Sequence, residues 1–145
     1  MSSKITDIKN YLCDKSVYSL LASSVFNPTP ERLLSRAEKY QADDKTTVFA
    51  YSESGEYKGI IVFNIKEQTA EILDIAVKSE YKGKGIGSML IDYIFSKFAV
   101  SKITAETDDD AIGFYKKYGF TVSDTKLNHD TKRYVCEYTR KLNNT

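Results

Sequence analysis

Apolar positions recur every three or four residues through the first forty positions of the chain and then change, from Thr46, to dense β-branched and aromatic runs. Early on, Ile5, Ile8 and Leu12 share a helical spacing, and "SVYSLLASSVF" reads as a second short helix. A third helix begins where Thr29 can cap and Pro30 can occupy the first helical position, with Leu33, Leu34, Ala37 and Tyr40 on its inward face. Beyond Thr46, "TTVFAY" and "KGIIVFNI" predict a hairpin turned at Gly55, and "AEILDIAV" predicts a third strand after the polar break "KEQT". A glycine-rich stretch follows, and then a helix whose Ile86, Met89, Leu90, Tyr93, Ile94 and Phe98 fall on one side. "KITAET" reads as a strand and "AIGFYKKY" as a short helix ended by Gly119, while "FTVSDT" and "KRYVCEYTRK" read as two last strands. The predicted order is α-α-α-β-β-β-α-β-α-β-β. It is an α/β layout with a mixed, largely antiparallel twisted sheet of about six to seven strands flanked by helices.

Composition narrows the setting. A length of 145 residues fits one domain, 1–145, with a single hydrophobic core. With 21 basic and 20 acidic side chains the net charge is +1, which gives no reason to invoke nucleic acid. The apolar runs are too short to span a bilayer and the first residues lack the apolar core of a signal peptide, so no membrane association and a cytoplasmic location are expected. Cys13 and Cys136 are far apart and no Cys/His cluster exists; both are expected to be reduced thiols, with no metal site. Asp108, Asp109 and Asp110 are consecutive and cannot converge on one ion, so a helix cap and an acidic rim able to attract a cationic acceptor are the expectation. His129, the only histidine, lies in a polar loop and is read as solvated.

Gly83, Gly85 and Gly87, at alternate positions before a helix, carry the chemistry. They fit no Walker loop, because no Gly-Lys-Ser/Thr follows, and no Rossmann fingerprint, because Ser88 stands where the last glycine belongs. Two readings of the residues stay open: a plain strand-to-helix connection, or a loop whose backbone N–H groups turn toward an anion such as a diphosphate at a helix N-terminus.

"LDIAVKSEYKGKGIGSMLIDYIF" resembles the acetyl-CoA-binding motif of the GNAT superfamily of N-acetyltransferases, Gln/Arg-x-x-Gly-x-Gly/Ala. Its register here is Lys82-Gly83-Lys84-Gly85-Ile86-Gly87, with lysine at the first position. "AETDDDAIGFYKKYGF" resembles the later motif of the same family, a strand and a short helix carrying Phe-Tyr and ending in Gly-Phe. The resemblance implies a GNAT-like acyl-CoA fold and an enzyme that transfers acetyl from acetyl-CoA, its cosubstrate, to a primary amine by direct attack on the thioester. It implies that the pyrophosphate sits on N–H groups from Lys82 through Gly83, Lys84, Gly85, Ile86 and Gly87 to Ser88. It further implies that the strand at Leu73 to Val77 splays from its neighbour, so that Ile75, Ala76 and Val77 meet the pantetheine arm, mainly through the main chain of Ile75 and Val77. A nearby N–H would then stabilise the developing oxyanion.

By the same resemblance Tyr115 is the general acid and contacts the cofactor, and Asp109 or Asp110 stands near where many members place an asparagine that touches the cofactor. Glu71 occupies the place of a catalytic glutamate in some members. Asp74, between Leu73 and Ile75, is the rival base, since burial would strengthen it. Strict strand alternation puts Glu71 and Asp74 on opposite faces, so that one at most meets the acceptor. The acceptor is a small molecule or a protein, bound in this architecture by the early helices and the late loop, where no specificity code is readable. A noncatalytic acyl-CoA-binding sensor or interaction module is the alternative, and a homodimer is an open option.

Overall fold

The computed structural model describes residues 3–25, 27–128 and 131–140. Seven strands form one sheet: β1 (Ser3–Asp7), β2 (Thr46–Glu53), β3 (Glu56–Lys66), β4 (Thr69–Val77), β5 (Lys102–Thr107), β6 (Thr121–Asn128) and β7 (Thr131–Thr139). Their order across the sheet is β1-β2-β3-β4-β5-β7-β6. Every pairing is antiparallel except β4 with β5. That parallel pair is the product of a helical crossover, because parallel neighbours cannot be joined by a tight turn. Four helices flank the sheet: α1 (Lys15–Tyr18), α2 (Pro30–Ala42), α3 (Ile86–Lys97) and α4 (Ile112–Tyr118). The mixed α/β sheet of six to seven strands expected from the sequence is present.

Each face of the sheet has its own core. Phe49, Ile61, Phe63, Ile72 and Ile103 pack with Leu90, Ile91 and Ile94 of α3 on one face. Ile60, Val62, Val48 and Ala76 pack with Leu12, Leu21 and Leu33 of the early segment on the other. Leu90, Ile91 and Ile94 are fully buried, and at about 1.5–3 kcal/mol each they fix α3 to the sheet. Thr29 caps α2 as expected, its Oγ1 accepting from Arg32 N–H at 3.2 Å with Pro30 in the first position.

The first expected helix is instead β1, paired with β2 so that Ile5 faces Tyr51. The three-residue spacing was ambiguous for a physical reason. Ile5 packs on the α3 core whereas Ile8 and Leu12 pack on the opposite one, so they never shared a helical stripe. The second expected helix is α1 running into a 3₁₀ turn, Ser19–Ser24. Among the described residues no helix is long and apolar enough to cross a membrane, and no group of His, Cys, Asp and Glu could hold a metal ion.

Candidate active site

The glycine loop is shaped by backbone handedness. Gly83 and Gly85 have φ of 80° and 85°, a region that disfavours side chains, and Gly85 is the N-cap of α3. The first intrahelical bond runs from Met89 N–H to Gly85 C=O at 3.0 Å, so the N–H groups of Ile86, Gly87 and Ser88 have no acceptor within the helix. They point out of the positive end of a 12-residue helix dipole. Lys82 and Lys84 are exposed beside them. The approach to the loop is clamped: Tyr81 donates its hydroxyl to Glu56 at 2.9 Å, Lys78 pairs with Glu56 at 3.1 Å, and Lys58 lies 4.3 Å from the Tyr81 ring centre.

The parallel ladder between β4 and β5 covers only Thr69 to Ile72 opposite Lys102 to Ala105. Past Ile72 the strands part, and β4 keeps only β3 as a partner. Lys78 N–H bonds Lys58 C=O at 2.9 Å, which sets the alternation of the antiparallel ladder. Counting back along the register, Ala76 and Asp74 turn their main-chain groups to β3, while Ile75 and Val77 turn theirs into the gap. The backbone of Ile75 and Val77 therefore offers an open pairing edge that leads toward the N-terminus of α3; Ser23 Oγ donates to Val77 C=O at 3.4 Å near its end. The Ala76 backbone is committed to β3 and its side chain to the core, so Ala76 contributes no free main-chain edge.

Tyr115 lies on α4, 4% exposed, with its ring edge-on to Phe114 and Phe120 at 5.2 and 5.1 Å. Phe120 N–H bonds Tyr115 C=O at 2.9 Å and Gly119 N–H bonds Lys116 C=O at 3.1 Å, a helix-ending motif that pins the Tyr115 backbone. Burial pushes its phenol well above the ordinary range, reinforced by the fields of Cys136, Asp74 and Asp108 and opposed by Arg133. The hydroxyl has no hydrogen-bond partner among the described residues. It thus stays protonated and keeps a donor to give.

Glu71 and Asp74 do not face apart as strand alternation alone dictates. The β3–β4 register slips between Val62 and Phe63, pairing Val62 with Asp74 but Phe63 with Ile72, so Leu73 is an extra bulged residue. Ala70 and Ile72 pack toward α3 before the bulge, whereas Leu73 and Ala76 pack toward the early helices at and after it. Glu71 and Asp74 accordingly lie on the same face, the one covered by α2. Glu71 is exposed, between Asn64 of β3 and Thr104 of β5 in register. Asp74 is buried, its side chain 4% exposed, and its Oδ2 accepts from Arg36 Nη1 at 2.9 Å and from the Tyr40 hydroxyl. The Tyr40 phenol is raised by burial and by that bond to Asp74.

Sequence reasoning had given Arg36 and Tyr40 no part in the site. They come from α2, 38 and 34 residues away from Asp74 in the chain, and no local pattern joins them. Asp108 does not cap α4, whose N-cap is Ala111 with no side-chain bond; its Oδ1 instead closes the turn before the helix, accepting from Asp110 and Ala111 N–H at 3.1 Å each, and Asp109 Oδ1 accepts from the Tyr134 hydroxyl on β7. Both are thus committed within the protein. Gly87 abuts Phe114 so closely that a Cβ would stand 2.8 Å from the ring, which ties the glycine loop to the residue beside Tyr115. His129 lies outside the described residues.

This geometry has counterparts in known proteins. The sequence model of the Acetyltransferase (GNAT) family matches residues 15–120. The uncharacterized protein YdhI of Bacillus subtilis (strain 168) is 32% identical over 98 residues, covering 63% of this chain and 59% of that protein's length. Among solved structures, Ard1 from Thermoplasma volcanium aligns with a TM-score of 0.75 at 23% identity, covering 97% of this chain and 99% of that one. PaiA N-acetyltransferase from Thermoplasma acidophilum, solved in complex with coenzyme A, aligns with a TM-score of 0.71 at 19% identity, covering 96% and 99%. With the sheet opened between β4 and β5, the left-handed glycines at the head of α3 and a family match over most of its length, the chain belongs to the GNAT acetyltransferase family.

Proposed function

We propose that the chain is an N-acetyltransferase that moves an acetyl group from acetyl-CoA to a primary amine by direct attack of the amine on the thioester. The observation that carries this reading is the edge of β4 at Ile75 and Val77, which no strand pairs, together with the N–H groups at the head of α3 that have no acceptor within the helix. An extended amide-bearing arm pairs with such an edge as a strand would, and a diphosphate suits the N–H groups of Ile86, Gly87 and Ser88. Lys82 and Lys84 add positive charge at the loop. The residues therefore fit the cosubstrate.

Acetyl-CoA supplies an activated acyl group: a C–N bond forms to the amine as the C–S bond breaks. Tyr115 gives its phenolic proton to the departing sulfur and regains one from solvent. Glu71, exposed on the acceptor face, takes the proton that the amine loses, directly or through water, and passes it to solvent. Asp74 acts here as a positioning residue, since Arg36 and Tyr40 occupy its Oδ2 and so tie α2 to β4 beside Ile75. A lysine-type amine of pKa about 10.4 needs the base more than an α-amine of about 8.

The test is thiol release from acetyl-CoA over a panel of primary amines, with Tyr115→Phe alongside. Turnover with at least one amine, falling about 10²-fold or more in kcat in the variant while acetyl-CoA binding persists, supports the reading. Acetyl-CoA binding without turnover on any amine would instead favour the sensor reading.

A further inference from the structure

The side of α2 that faces away from the core borders a cavity of about 580 Å³, lined by Val25, Glu31, Arg32, Ser35, Arg36, Lys39 and Tyr40. Leu33 and Ala37 are the buried residues of this helix and hold it on the sheet. Three cations and one acid therefore line the cavity. Arg32, Arg36 and Lys39 stand four and three residues apart, which stacks like charges along one helix face, an arrangement unfavourable on its own. Arg32 also sits in the first turn of α2, where the helix dipole disfavours a cation. Arg36 is compensated only through Nη1, by Asp74, and keeps 38% of its side chain exposed. Among the described residues neither Arg32 nor Lys39 has an ion-pair partner. What would balance this group is an anion from outside the chain.

Position links the cavity to the reaction. Its Arg36 and Tyr40 are bonded directly to Asp74, the residue preceding the open β4 edge at Ile75. Asp74 shares its face of the sheet with Glu71. The Arg36 and Tyr40 end of the cavity is thus the end that adjoins the β4 edge. None of Asp108, Asp109 and Asp110, the residues expected to draw a cationic acceptor, lines this cavity.

We propose that this groove holds the carboxylate of the acceptor, so that the amine acetylated is one that also carries a carboxylate, as in a free amino acid or a short acidic peptide, and not a polycationic amine. This rests on the acetyltransferase reading. Arg32 and Lys39 set specificity by charge, Ser35 adds a hydroxyl donor between them, and Arg36 presents its free guanidinium nitrogens while Asp74 holds it in place.

Two measurements test it. Without turnover, the protein saturated with CoA is titrated with N-acetylglutamate and separately with N-acetylcadaverine, following backbone amide signals by NMR. Saturable shifts at Arg32, Ser35 and Lys39 are expected with N-acetylglutamate alone, and their loss in the Arg32→Glu, Lys39→Glu double variant, whose substitutions lie on the exposed side of α2. No saturable shift at α2, or equal shifts with both compounds, overturns the proposal. With turnover, amines differing by one carboxylate are compared: lysine with cadaverine, and tyrosine with tyramine. Glutamate and the dipeptide Glu-Ala then separate a free amino acid from a peptide terminus. The carboxylate-bearing partner is expected to have at least tenfold higher kcat/KM, lost in Arg32→Glu through a higher acceptor KM with the acetyl-CoA KM unchanged. Preference for cadaverine and tyramine, or indifference to Arg32→Glu, contradicts it. Absence of turnover on every amine would count against the transferase reading itself, and the titration then decides the groove independently.

Discussion

Replacing Gly87 by alanine separates two opposing effects whose sizes can be worked out. Gly87 is inside the first turn of α3, where alanine is favoured over glycine by about 0.5–1 kcal/mol. A Cβ there would lie 2.8 Å from Cε1 and 2.9 Å from Cζ of Phe114. Carbon atoms in comfortable contact sit about 3.5–4.0 Å apart, so the ring must retreat by about 0.7 Å or more. Phe114 has little freedom to do so, because its ring is packed edge-on to Tyr115 and the C-terminal turn of α4 is pinned at Gly119 and Phe120. Overpacking of this kind costs about 1–3 kcal/mol. Gly87→Ala should therefore lose up to about 2.5 kcal/mol in urea unfolding, with the midpoint moving and the slope unchanged. Phe114→Leu shortens the offending side chain, so the same alanine should be harmless or stabilising in that background, with a coupling of about 1 kcal/mol or more in the double-mutant cycle. A stabilised Gly87→Ala protein, or an equal loss in both backgrounds, would refute the contact and its link between the glycine loop and Tyr115.

Three further outcomes are expected. Tyr40→Phe removes a hydrogen bond to the buried Asp74 carboxylate, a bond of a class worth about 1.5–3 kcal/mol, and denaturant unfolding should lose an amount in that range. Because burial raises the Tyr115 phenol in the folded state, that residue's contribution to stability is complete below about pH 10, where an unfolded tyrosine titrates, and falls as pH rises further; the fall in melting temperature above pH 10 should be shallower in Tyr115→Phe. Gly85→Ala forces a side chain into φ of 85°, a strain of about 1–2 kcal/mol, and calorimetric titration should find weaker acetyl-CoA binding with the acceptor KM little changed.

What the sequence made legible was local. The Lys82 to Ser88 loop, the amphipathic α3 and the short α4 ended by Gly119 each rest on residues within a few positions of one another, and they lie where the pattern puts them. β5 likewise coincides with "KITAET". Ile5 misled because its partner is Tyr51 across a strand pair, and an edge strand so short has too few residues to display alternation. The bulge at Leu73 was invisible for a similar reason: nothing in "EILDI" distinguishes a regular strand from one carrying an extra residue, and the register that reveals it belongs to β3. The same slip carries Asp74 to the face of Glu71. Arg36 and Tyr40 read as part of an ordinary amphipathic helix, and only the folded chain brings them to Asp74.

The central claim is that the β4 edge and the α3 N-terminus form an acyl-CoA site, and thermal unfolding with acetyl-CoA, CoA and ATP at equal concentration tests it most directly. A ligand at about a hundred times its Kd stabilises the fold by about 2.7 kcal/mol. For a chain of this size that is a rise of about 6–10 °C. The account predicts such a rise with acetyl-CoA and with CoA, whose pantetheine arm reaches the Ile75 and Val77 edge, and none of that size with ATP, which lacks the arm. An equal rise with ATP, or no rise with acetyl-CoA in a folded sample, would contradict it.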